Sequence, residues 1–284
     1  MTAKKLGLTF GLGILMSMAN DTFYLTRQRP ALASAISLTA PQKLTGTSCA
    51  GVNLGIAITD TANYLPDSSV ILPEEVILDM PTPGDQGSQG SCAAWATVYG
   101  AGNHYMHETT CRPYSDSGNL SPKFIYNQIS RGNCTCTSVL DNLYLLQTLG
   151  ACSMSAMPYD PNDCSTQPDS LQLNSAVSNK IKGWKKINMR DLSLVKTALF
   201  EKKAVIFTIT IDDGFKKIAA PYIWKSRIGA LAEAHSMVIA GYDDTTRLLR
   251  VMNSWNTNWG DKGFVYIDYD FFIRNVMSGG YIII

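Results

Sequence analysis

The stretch Gln86-Gly87-Ser88-Gln89-Gly90-Ser91-Cys92-Ala93-Ala94-Trp95 decides the reading of this chain. A glycine-rich loop ends at Cys92, and the small residues that follow predict a helix from about Ser91 to Glu108. A helix N-terminus carries about half a positive charge, which favours thiolate over thiol at Cys92. Gly87 and Gly90 supply the backbone freedom that presents the sulfur. On position alone, Cys92 reads equally as a buried thiol or a disulfide partner, so the decision rests on what stands beside it.

A thiol nucleophile needs an imidazole partner, and the chain has 3 histidines. His104 and His107 lie 12 and 15 residues beyond Cys92 on the same predicted helix. At 1.5 Å per residue that is about 18 to 22 Å away. Their i, i+3 spacing reads as solvated or packed residues. His235 remains, in Ala234-His235-Ser236-Met237-Val238-Ile239-Ala240-Gly241-Tyr242 at the head of a predicted strand. By itself it reads as well as a core or edge histidine.

The third stretch is Asn253-Ser254-Trp255-Asn256-Thr257-Asn258-Trp259-Gly260-Asp261-Lys262-Gly263-Phe264. A carboxamide oxygen can accept the second imidazole N–H and fix its tautomer. Asn253 ends the strand after the one His235 begins, so antiparallel pairing brings them together. Trp255 can cover that hydrogen bond and exclude water. Tryptophans beside glycines also serve as plain packing.

Taken together, in the order Cys, His, Asn, the stretches resemble the papain-like cysteine peptidases over about residues 72 to 284. The style of Gly84-Asp85-Gln86-Gly87-Ser88-Gln89-Gly90-Ser91-Cys92 and Leu120-Ser121-Pro122-Lys123-Phe124-Ile125-Tyr126-Asn127-Gln128 is closer to bacterial secreted members. The resemblance implies an α+β, two-lobed fold: a helical left lobe, an antiparallel β-barrel-like right lobe and the active-site cleft between them. It implies Cys92 as nucleophile, His235 as ion-pair partner and proton carrier, and Asn253 as the residue orienting His235. Gln86 and the Cys92 backbone N–H would bind the oxyanion, at about 3 kcal/mol per donor. The implied reaction is hydrolysis of a protein or peptide substrate through an acyl-enzyme, with no cofactor and no metal. A catalytically silent binding protein and an acyl transferase using the same site remain alternatives. A serine hydrolase is disfavoured, because no Gly-x-Ser-x-Gly elbow occurs.

The departures from the family pattern concern specificity. Ala93 stands where most relatives carry Trp. Gln89 stands where relatives usually carry a cysteine that bridges to the other side of the cleft. Thr137-Ser138, aligned on Asp141-Asn142, replaces the Gly-Gly wall of the cleft. Thr137, Ser138, Ala234 and Trp255 are the expected substrate-binding residues.

The rest of the chain fits this frame. Its 284 residues are 45% hydrophobic and 17% charged, the balance of a packed globular protein. With 24 Lys plus Arg against 23 Asp plus Glu, the net charge of +1 offers no field for nucleic acid or an anionic membrane. No apolar run reaches the roughly 18 residues of a membrane span. Lys4 and Lys5, the apolar run Leu6 to Met18 and the small residues Ser17 and Ala19 read as a signal peptide over 1–19. The chain is therefore expected to be secreted or periplasmic after cleavage near Asn20, and a monomer is the default expectation.

Residues 20–71 read as a prosegment-like region that partly masks the cleft, through a strand at Asn53 to Asp60. The 7 cysteines suit an oxidising compartment. The other six allow fifteen pairings. Cys134-Thr135-Cys136 lacks the further ligands of a zinc site, and a bond from Cys49 to the 72–284 region would tether the upstream segment. Further helices are expected at Lys123 to Ile129, Val139 to Thr148 and around Leu192, Val195 and Leu199. Strands are expected at Ala204 to Ile211, Ser236 to Tyr242, Leu248 to Met252 and Gly263 to Asp268.

Overall fold

The small-residue run after Cys92 does form a helical rod, α1, built from the consecutive segments Cys92–Ala94, Trp95–Gly102 and Asn103–Thr110. The structure is a computed structural model and describes residues 54, 62–66 and 70–284. The expected signal peptide, Cys49 and the Asn53 to Asp60 strand, apart from Leu54, lie outside the described residues. The middle of α1 takes wide π-helical turns. Ala96, Gly100, Ala101 and Gly102 leave room for them, and all are buried.

Helices α2 (Pro122–Ser130) and α3 (Val139–Thr148) follow, both where the sequence places them. Pro122 opens α2 at its first turn, where a missing N–H costs nothing. Ser121 holds the cap position, yet its hydroxyl donates to Met157 O at 2.6 Å. Ser138 caps α3 by accepting from Leu140 N at 3.2 Å. Then come α4 (Ser170–Ala176), β2 (Trp184–Asn188), α5 (Leu192–Phe200), β3 (Val205–Asp212), α6 (Asp213–Lys216), β4 (Ile223–Trp224), β5 (Leu231–Asp243), β6 (Leu248–Met252), β7 (Phe264–Asp268), α7 (Tyr269–Asn275) and β8 (Gly279–Ile283). A short strand, β1 (Glu75–Ile77), precedes them all.

The strands form one sheet in the order β2-β8-β3-β5-β6-β7-β4, with β1 also on β5. The path is open: β2 and β4 end it without meeting. The right lobe is the expected, largely antiparallel layer with its sheet not closed, and the β4–β7 pair is parallel. Two-residue β4 is too short to continue the ladder. Strands β3 and β5 form the centre, buried by Val205, Ile206, Phe207, Ile209, Met237, Val238 and Ile239. Such runs pack on both faces, which is why they read as unbroken apolar sequence. Helix α1 lies against β5. That contact places the start of the helix beside the strand that carries His235.

One buried carboxylate holds the turn behind this contact. Asp212 is fully buried and accepts from Phe215 N at 2.8 Å and Ile228 N at 3.3 Å. Arg227 Nη1 lies 3.6 Å from Oδ2, the oxygen that Ile228 N also reaches, so the charge is partnered. This fixes Phe215, whose ring meets Trp224, Trp259 and Trp255 at centroid distances of 4.7, 5.0 and 5.4 Å.

Upstream, only short pieces are described. Leu54 N donates to Asp141 Oδ2 at 3.1 Å. Asn63 bridges to Lys186 on β2, with Tyr64 N donating to Lys186 O at 2.7 Å. Among the described residues no helix is long and apolar enough to cross a membrane.

Candidate active site

The loop before α1 is tight for two reasons that only glycine satisfies. Gly87 has φ +60, in the left-handed region. Gly90 lies so close to the 135–136 backbone that a Cβ would fall 2.6 Å from Cys136 N. The loop that ends at Cys92 is thus pressed against the residues leading to Thr137 and Ser138. Gln86 is fixed at both ends of its carboxamide. Nε2 donates to Gln89 O at 2.9 Å, and Oε1 accepts from Ser254 Oγ at 2.7 Å.

Cys92 opens the helix and is buried. Ser236, the residue after His235, acts on the sulfur to favour its ionised form, against the desolvation of burial. Ser236 Oγ also pairs with Thr208 Oγ1 at 2.9 Å across the β3–β5 ladder. His235 sits within β5 and not at its head, opposite Ile209. Its Nε2 lies 2.7 Å from Asn253 Oδ1. The same oxygen accepts Ser254 N–H at 2.8 Å, so it is the acceptor and Nε2 carries the proton. In a neutral ring Nδ1 is then the free base. Pairing of Val238 with Met252 in the β5–β6 ladder brings Asn253 within reach, as the strand order implies.

Trp255 covers this pair, its ring 4.9 Å from that of His235. It is also part of an aromatic cluster with Phe215 and Trp259, so the packing and shielding readings are the same object. Ala234 is buried beside His235. At the other wall, Thr137 Oγ1 accepts from Asn142 Nδ2 at 2.9 Å, and Ser138 caps α3. Their polar atoms are tied to the helix.

Burial opposes the charged form of both groups. Desolvation pushes the Cys92 thiol up, while Ser236 and Ala93 act to lower it. It pushes His235 down to about 4, against the Asn253 bond and the charge of Glu233. The helix N-terminus favours the thiolate, and desolvation works against it.

Residues 78–276 match the family model described as papain family cysteine protease. The chain belongs to the papain family of cysteine proteases. Peptidase 1 of the mite Psoroptes ovis is 27% identical over 199 residues, which is 68% of this chain and 58% of that protein. The match thus spans less than two thirds of that relative's length. Xylellain, a cysteine protease from Xylella fastidiosa, superposes with a TM-score of 0.68 at 22% identity, covering 78% of this chain and 91% of that one. Digestive procathepsin L 3 of Tenebrio molitor gives 0.63 at 16% identity, covering 78% and 73%.

Within this papain-family chain, several neighbours of the site escaped the sequence reading. Phe215, Thr208 and Tyr159 come from segments without a motif. Ser236 and Ser254 adjoin motif residues and were legible as candidates for that reason alone. His104 lies apart, its ring nitrogens 2.9 Å from Asp79 O and 3.0 Å from Lys202 O. Cys134 is bonded to Cys164, which engages a sulfur the Cys-x-Cys pattern offered to a metal. Cys136 is disulfide-bonded too. Among the described residues Cys92, Cys111 and Cys152 are free thiols.

Proposed function

We propose that this chain is a cysteine endopeptidase that cleaves peptide bonds through an acyl-enzyme on Cys92. The observation that carries the reading is the 2.7 Å contact of His235 Nε2 with Asn253 Oδ1, on the strand β5 against which the helix opened by Cys92 packs. Asn253 fixes the ring, so Nδ1 is the nitrogen that takes the thiol proton. The thiolate attacks the peptide carbonyl, and the oxygen becomes an oxyanion. Gln86 Nε2 and the Cys92 N–H stabilise that charge, each at about 3 kcal/mol. The imidazolium returns its proton to the leaving amine, the C–N bond breaks, and a thioester remains. Water, losing a proton to His235, then releases the acid and the free thiol.

Thr137 and Ser138 on one wall, and Ala234 and Trp255 on the other, form the proposed substrate cleft. Larger side chains at 137 and 138 than glycine narrow it. The proposal includes export, which the signal-like segment over 1–19 and the Cys134–Cys164 disulfide support. Kinship with bacterial secreted members draws on the Xylella fastidiosa neighbour and on the loop style. Residues 20–71 are proposed as a prosegment, and Leu54 on Asp141 puts one of them on the helix that follows Ser138. Cleavage of a peptide library by the purified mature chain tests the activity. Turnover by wild type and none by Cys92→Ala supports the reading, and equal turnover by both removes it.

A further inference from the structure

The loop from Gln86 to Ser91 ends at Cys92, and one hydroxyl from elsewhere touches three of its residues. Tyr159 Oη lies 2.9 Å from Gln86 O, 2.8 Å from Gln89 Oε1 and 2.6 Å from Ser91 Oγ. A phenol has one proton and two lone pairs. Ser91 O–H therefore donates to the phenol oxygen, and the phenol proton is shared between Gln86 O and Gln89 Oε1. The ring stands edge-on to Trp95 at 4.9 Å, which sets its direction. Gln86, Gln89 and Ser91 are all buried, where hydrogen bonds are stronger than in water.

The three contacts fall at both ends of the proposed oxyanion hole. Gln86 supplies the side-chain donor. Ser91 supplies the peptide whose next N–H is that of Cys92. A hydroxyl that clasps Gln86 O and Ser91 Oγ together sets the spacing between these donors. We infer that Tyr159 is a positioning residue, holding the Gln86 carboxamide and the Cys92 N–H in register for the oxyanion. This rests on the proposed reading of Cys92 and Gln86.

Tyr159→Phe tests it, because the ring stays on Trp95 and only the hydroxyl goes. A displaced donor costs less than an absent one, for which the loss is about 10²–10³-fold. The expected fall in kcat is about tenfold, with KM within about twofold. Affinity for a peptide aldehyde, which forms a tetrahedral adduct, falls with kcat/KM. The rate of Cys92 alkylation by iodoacetamide, which builds no oxyanion, stays within about twofold of wild type. Ser91→Ala removes one leg of the clasp and gives the same pattern, at about threefold. Unchanged kcat/KM in a folded Tyr159→Phe protein overturns the inference, as does an alkylation rate that falls in step with turnover. If instead Cys92→Ala keeps full turnover, the parent reading fails and takes this one with it. A silent Tyr159→Phe beside an inactive Cys92→Ala discards only the clasp.

Discussion

Ser254 Oγ donates to Gln86 Oε1 at 2.7 Å, while Ser254 N–H donates to Asn253 Oδ1 at 2.8 Å. One serine thus ties the two carboxamides of the site, one preceding α1 and the other following β6. Removing its hydroxyl frees one end of Gln86. Ser254→Ala is expected to lower kcat/KM about tenfold, and Gln86→Ala about 10²-fold. The double variant should be no slower than Gln86→Ala alone, because both changes act on one donor. Steady-state kinetics on a single peptide give the comparison. Multiplicative losses would show that Ser254 acts elsewhere.

Asn253 makes the only described bond to His235 Nε2. Asn253→Ala leaves that N–H buried and unpaired, a cost of about 1–3 kcal/mol. The ring is then free to turn its basic nitrogen away. We expect kcat to fall about 10²-fold, with unfolding midpoints lowered by that stability cost. Full activity in a destabilised variant would reduce Asn253 to a packing residue.

The candidate site is read from three short motifs with few competitors. Three histidines leave little choice of base once helix length removes two. Elements with one dominant pattern were also legible: Val139–Thr148, Leu192–Phe200 and Leu248–Met252 fall where periodicity places them. The open sheet was not, because closure depends on which edges meet. Strand β8 begins with Gly279 and Gly280, which mute its signal. Helix α7 is rich in aromatics and continues a strand-like run, so only its Asp268 cap, which accepts from Phe271 N at 2.8 Å, marks it. Burial at Cys92 and His235 was not legible either, because sequence exposes the helix N-terminus but not the desolvation that opposes it.

Burial of His235 has a pH signature. Its folded pKa of about 4 lies below the ordinary 6.5, so the unfolded ring binds a proton first. Stability from the neutral ring is fully present above pH 6.5 and is lost as pH falls toward 4, by about 3 kcal/mol in all. Asp141, pushed up to about 6 by burial, acts in the opposite sense: its contribution is present at acid pH and lost as pH rises through 6. The wild-type curve mixes the two, so the comparison is with His235→Gln. The variant should gain on wild type by about 3 kcal/mol between pH 7 and 4 in denaturant titrations. A pH-independent difference would place His235 in solvent.

The Cys134–Cys164 bond closes a separation of 30 residues, worth about 3.5 kcal/mol by loop entropy. It anchors the chain just before Thr137 and Ser138. A Cys134→Ser, Cys164→Ser double variant should unfold at lower denaturant by that amount, with KM raised more than kcat is lowered. An unmoved midpoint would show that the lobe is held without it.

The most direct measurement is the site of covalent labelling by a thiol-directed peptidyl epoxide, read by mass spectrometry against lost peptide turnover. Two of the described free thiols make a sharp contrast: Cys92 is buried, and Cys111 is exposed. The account predicts label on Cys92, in step with loss of activity, and protection by peptide substrate. Label on Cys111 with turnover intact, and Cys92 unmodified, would contradict it.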